Sequence, residues 1–170
     1  MHQSFSNAAT FLSTGRMERR FTMTTTGLET FDTTVQKTDI WLKEIMNELG
    51  WDSRQKAYLA LRSVLHTLRD RLTVDEVANL SAQLPMLVRG IYFESWKPSS
   101  SPQKYRNREE FLSRVQSFFR GDQPVDAEKI VQAVFTVMQR EVTEGEIGEV
   151  KRMLPEEIRH LWPEPVEAHQ

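Results

Sequence analysis

The sequence predicts an all-α protein: two homologous repeats of three to four helices, packed as one compact domain with approximate two-fold symmetry. Three observations carry this. Apolar residues recur at helical spacing through most of the chain. A skeleton of Leu72-Thr73-Val74-Asp75-Glu76, Leu84-Pro85 and Arg89 returns 70 positions later, without a gap, as Val142-Thr143-Glu144-Gly145-Glu146, Leu154-Pro155 and Arg159. Seven glycines and seven prolines in 170 residues suit helices better than a turn-rich sheet. Two copies are too few for an open solenoid, which needs at least about three units, so the repeats should pack face to face.

Residues 1–26 are Ser/Thr-rich without apolar periodicity and read as a disordered extension, with Met23 a candidate start. Asn7 to Leu12 is too short and too polar for a signal-peptide core. The first repeat spans 27–96. Its first helix runs from about Asp32 to Leu49, with a stripe of Val35, Thr38, Leu42, Ile45 and Leu49, and Gly50 ends it. The second runs from about Ser53 to Leu72 and presents Ala57, Leu61, Val64, Leu65 and Leu68. The third starts at Thr73, whose spacing to Glu76 is that of a capping box. The Thr hydroxyl should accept from the Glu76 amide while the Glu76 carboxylate reaches back to the Thr73 N–H; Thr143 and Glu146 repeat the pattern. Pro85 opens a short fourth helix carrying Leu87, Val88, Ile91 and Tyr92.

Residues 97–104 read as a linker. The second repeat, 105–163, keeps the apolar class 70 positions on. Phe111, Leu112, Val115 and Phe119 follow Trp41, Leu42, Ile45 and Leu49; Trp162 follows Tyr92. Residues 164–170 read as a frayed tail.

Composition narrows the function. The chain has no cysteine, which excludes disulfides and thiolate metal sites. A net charge of −2 gives no general attraction to nucleic acid or anionic membrane, and no apolar run is long enough to span a bilayer. A cytoplasmic location is expected.

Three stretches resemble a known family: Thr26-Gly27-Leu28-Glu29-Thr30-Phe31-Asp32, Ala60 through Leu72, and Gln83 through Tyr92. They are similar to the uncharacterised bacterial family called domain of unknown function 2267, over about Thr26 to Pro163. The resemblance implies a small, soluble, all-helical bacterial protein and implies no activity.

Duplication supplies an internal control for function. Residues present twice, such as Arg89 and Arg159, read as scaffold. Residues present once are free of that duty. Arg62, His66 and Arg69 lie at i, i+4 and i+7 of one helix, so they share a face; the matching positions are Gln132, Thr136 and Gln139. Such a face, with Arg89 contributing, is a candidate site for a small anion. Its plain reading is a solvated charged surface. Tyr92, Phe93 and Trp96 form an aromatic cluster that reads either as a partner surface or as a cover for the domain's own core. Glu157-Ile158-Arg159-His160 has Glu-x-x-His spacing, but the second motif that a bundle metal site requires is missing. No catalytic residue, metal set or cofactor is expected. The sequence therefore favours a non-enzymatic interaction or adaptor module, as a homodimer or with a protein partner. The alternative is a small-ligand protein using Arg62, His66 and Arg69.

Overall fold

Short side chains set the helix starts. Ser53 Oγ accepts from the Lys56 amide at 3.2 Å, Asn107 Oδ1 from Glu110 at 2.9 Å and Asp126 Oδ1 from Lys129 at 3.2 Å. A computed structural model describes residues 25–121 and 124–164. Among these residues there are eight α-helices and no strand: α1 (Glu29–Leu49), α2 (Arg54–Arg71), α3 (Val74–Ala82), α4 (Met86–Phe93), α5 (Arg108–Ser117), α6 (Ala127–Glu141), α7 (Glu144–Met153) and α8 (Glu156–Arg159). The protein is all-α, and none of these helices is long and apolar enough to cross a membrane. The readings of residues 1–24 and 165–170 as disordered lie outside the described residues. Thr26, read as part of that extension, has a defined role. Its amide and hydroxyl both donate to Asp32 Oδ1, at 3.0 and 2.9 Å, and close the start of α1.

At the centre, α2 packs against α1, α4, α5 and α6, and α6 packs against α1, α2, α5 and α7. Leu61, Val64, Leu65 and Leu68 of α2 are fully buried, as are Val131, Val134, Phe135 and Met138 of α6. The Phe135 ring stacks on Trp162 at 3.9 Å between centroids. Outside this pair, α3 lies on α4 and α7, and α8 lies on α5. Burying this apolar surface at roughly 25 cal/mol per Å² is what offsets the ordering entropy of eight helices.

The capping boxes are only half made. Thr73 Oγ1 accepts from the Glu76 amide at 3.3 Å, but the Glu76 carboxylate does not return to Thr73. Thr143 makes no side-chain cap at all. Both glutamates are drawn elsewhere, because α3 packs on α7 and brings the two carboxyls within hydrogen-bonding reach of each other.

The proline corners match closely. Pro85 has φ −54° and ψ 148°, and Pro155 has φ −54° and ψ 150°. Each stands at the cap position, one residue before its helix. Arg89 donates to Ser81 O at 2.9 Å and Leu84 O at 3.1 Å; Arg159 donates to Lys151 O and Leu154 O, both at 3.0 Å. Each arginine ties down the last carbonyls of the preceding helix, which have no partner within it.

The segment after α4 is tied at several points. Trp96 Nε1 donates to Ser101 Oγ at 3.0 Å, Gln103 N to Asp70 O at 2.6 Å, and Arg71 Nε to Tyr105 O at 3.0 Å. The buried Tyr105 hydroxyl donates to Thr67 O. The linker thus runs along the C-terminal end of α2.

Arg89→Met should lower the free energy of unfolding by about 1–2 kcal/mol in urea titrations, since two charge-assisted bonds go. Arg159→Met should cost less, because its corner is more open to water, which can replace the lost donors.

Candidate functional site

The α2 face singled out by its charges is a latch on the end of α4. The chain leaves α4 through Ser95, whose φ is +60°, and this turn presents the carbonyls of Ile91, Tyr92 and Glu94 to α2. Arg69 donates through Nη1 to Tyr92 O at 2.6 Å and Glu94 O at 2.9 Å, and through Nε to Asp70 Oδ1 at 2.9 Å. His66 Nε2 lies 2.7 Å from Ile91 O. A carbonyl only accepts, so Nε2 carries the proton. Arg62 Nη1 donates to Glu94 Oε2 at 2.7 Å and meets the Tyr58 hydroxyl at 3.3 Å. Cationic groups at a helix C-terminus complement its partial negative charge and satisfy its orphan carbonyls.

This arrangement is neither a solvated surface nor an open anion cradle. Arg69 is 3% exposed and His66 is 5% exposed. The His66 ring packs edge-on against Phe118 at 5.8 Å. Burial holds the His66 pKa below its ordinary value against the opposing hydrogen bond to Ile91, and the nearby Arg69 and Arg62 charges push it the same way. Arg89 serves the α3–α4 corner instead, where both its bonds are to backbone.

The aromatic cluster faces inward. Tyr92 is fully buried, and its hydroxyl donates to Val77 O at 3.1 Å. Burial drives its pKa far upward, so it stays neutral. Phe93 and Trp96 are half-buried against the same core.

The matching face of α6 explains the asymmetry. Gln139 Nε2 donates to Pro163 O at 3.2 Å, a single neutral bond where Arg69 makes three charged ones. Thr136 Oγ1 turns back to Gln132 O at 2.7 Å. With smaller side chains at these places, a groove of about 620 Å³ lies open beside Leu49, Gln132, Thr136, Leu161, Trp162 and Pro163. The sequence signal for this groove was present, but as lost volume on α6 and not as gained charge on α2. Glu157, of the Glu-x-x-His spacing, accepts from the Arg108 amide at 3.1 Å.

A second surface was missed. Val35 was expected in the core and Leu87 on the apolar face of the fourth helix, but they are 41% and 42% exposed. The 21 residues of α1 span roughly 31 Å and none before Thr38 is buried, so its N-terminal turns overhang the core. One stripe of α1 is buried at Thr38, Leu42 and Ile45 and continues into solvent through Val35, Phe31 and Leu28. Met86 and Leu87 at the start of α4 are exposed as well, and Leu87 N donates to Thr34 Oγ1 at 2.9 Å, which joins α4 to the overhang. A cleft of about 360 Å³ runs alongside, between Thr30, Lys37 and Met86.

A family model described as an uncharacterized conserved protein, DUF2267, matches residues 38–161. No curated protein matches the chain.

Arg69→Met should lower the free energy of unfolding by about 3 kcal/mol, because it strands buried carbonyls, whereas Arg62→Gln should cost under about 1 kcal/mol at its wetter pair. The lowered His66 pKa adds stability that is present above the unfolded value near about 6.5 and is lost as pH falls through the lower folded value. His66→Gln should therefore flatten the acid side of a melting-temperature profile.

Proposed function

The chain belongs to the DUF2267 family of uncharacterized conserved proteins, and we propose that it is a non-enzymatic interaction module that associates with a second copy of itself through the overhanging face of α1 and α4. The observation that carries this reading is the exposure of Leu28, Phe31 and Val35 along one face at the start of α1, with Met86 and Leu87 exposed at the adjoining start of α4. Together these five half-exposed apolar side chains amount to roughly 400 Å², within the range of about 300–600 Å² for the largest apolar patch on a typical monomer, which is often functional. A second copy suits it because an isologous contact sets each stripe against itself, and this stripe carries no charge to repel its twin. Asp32 beside it is held by Thr26, and Asp39 is paired with Arg54 at 3.2 Å. The stripe can then seat a helix of like pattern, the usual helix-in-groove mode.

We also read the chain as a duplicated unit whose two copies pack about an approximate two-fold axis. The twin corners at Pro85 and Pro155, with their matching arginine bonds, support it. The alternative, a small-anion site at Arg62, His66, Arg69 and Arg89, draws less support, since the nearest acceptors already hold their donors.

Sedimentation velocity should find a concentration-dependent dimer of the wild-type chain. The double substitution Phe31→Glu and Val35→Glu should weaken it at least tenfold with unchanged helicity, because both side chains are already in water in the monomer. A wild-type chain that stays monomeric at about 100 μM, or a double variant that dimerises equally well, defeats the self-association reading.

A further inference from the structure

The contact between the α1–α4 half and the α5–α8 half contains two pairs of like-charged groups. Glu76 of α3 meets Glu146 of α7, and Glu44 of α1 meets Glu141 of α6, each pair within hydrogen-bonding reach. Two ionised carboxylates are acceptors only and repel. Among the described residues, Glu76 Oε1, Glu146 Oε1 and Glu44 Oε2 are buried and find no donor. Glu76 is 5% exposed, so water does not relieve it, whereas Glu141 of the second pair is exposed and shares its charge with solvent. A buried acceptor facing another acceptor is costly, and one proton placed between them turns the repulsion into a strong, charge-assisted hydrogen bond.

We propose that a shared proton in the Glu76–Glu146 pair clamps α3 to α7 and so holds the two halves together, and that the seam loosens when that proton leaves to water. The surroundings favour the proton over a neutralising cation on the first pair. Glu149 faces it from α7 and adds negative charge, although Arg152 partly engages that group. Asn79 from α3 and the neutral Tyr92 from α4 complete the shell. At the second pair, Glu48 adds negative charge and Arg140 opposes it, bonded to Glu48 at 2.6 Å, while Lys37 lines the same recess as Glu141. Burial first, then the partner carboxylate, raises the pKa of Glu76 and of Glu44. The sign follows. A carboxyl raised in the folded state contributes stability that is complete below the unfolded value near about 4.3 and is lost as pH rises through the folded value. His66 acts in the opposite direction, so the seam must be read from a difference between two proteins.

The test compares the full-length chain with the substitution Glu146→Gln, in which an amide supplies a permanent donor. The two melting temperatures should nearly agree at about pH 5 and diverge by roughly 3–6 °C in favour of the variant at about pH 8.5. Amide exchange on α3 and α7, corrected for intrinsic rates, should quicken with pH in the wild type alone. Carbon-13 titration of the wild-type side chains should place one member of the Glu76–Glu146 pair above the ordinary carboxylate range. The proposal is overturned by a difference in melting temperature that does not change with pH. It is overturned equally if both carboxyls of that pair titrate normally, or if magnesium or calcium raises the wild-type melting temperature at pH 8.5 where matched sodium chloride does not. The carbon-13 and cation arms use the wild-type chain and hold even if the variant fails to fold.

Discussion

The structure depends on burying α2 on nearly every side. From Ala57 to Leu68 this helix faces α1, α4, α5 and α6, and its polar residues must therefore find partners without water. Ser63 and Thr67 do so by bonding back to Ala60 O and Ser63 O, at 2.9 and 2.8 Å. His66 and Arg69 are too long for that, and they reach the end of α4 instead. A helix that terminates inside the fold needs donors for its last carbonyls, and a buried guanidinium needs acceptors; each requirement meets the other. The position of α4, of the Ser95 turn and of the linker beyond it follows from this match.

That latch also accounts for the two open surfaces. On the α6 side the donor is the neutral Gln139, the neighbouring side chains are short, and the groove beside Trp162 stays unfilled. On the α1 side, the end of α4 is fixed by α2, so its first residues come to rest against the overhanging turns through Leu87 and Thr34. Exposed apolar residues of two helices, Leu28, Phe31 and Val35 at α1 and Met86 and Leu87 at α4, thereby stand at joined helix starts.

Both carboxyl pairs lie on contacts between the halves, where the geometry of one element decides the protonation of another. Glu76 and Glu146 hold capping-box positions, and in an isolated helix each would bond its own Thr amide. The packing of α3 on α7 offers a different neighbour, and burial makes that neighbour decisive, since electrostatic interactions strengthen as water is excluded.

Much of the fold was legible from residues alone. Helical spacing located the stripes of α1 and α2, and Ser53, Gly50, Pro85 and Pro155 marked boundaries, because capping and proline sterics act within a few residues. The recurrence of Arg89 as Arg159 pointed to a scaffold duty, although Arg89 also read as part of the candidate anion face; its two bonds are to backbone. Several features were decided only by tertiary structure. Val35 and Leu87 continue apolar patterns that local reasoning assigns to the core, yet both are exposed in the packed molecule. Arg62, His66 and Arg69 share a helix face by spacing, but whether that face meets a ligand, water or a helix end depends on where α4 stops. The glutamates of the two boxes stand 70 residues apart in sequence, and no local rule brings them together. The physical reason is the range of the forces involved. Caps, turns and periodicity report interactions along the chain, whereas burial, and with it the partner and protonation state of each polar group, is a property of the whole packed molecule.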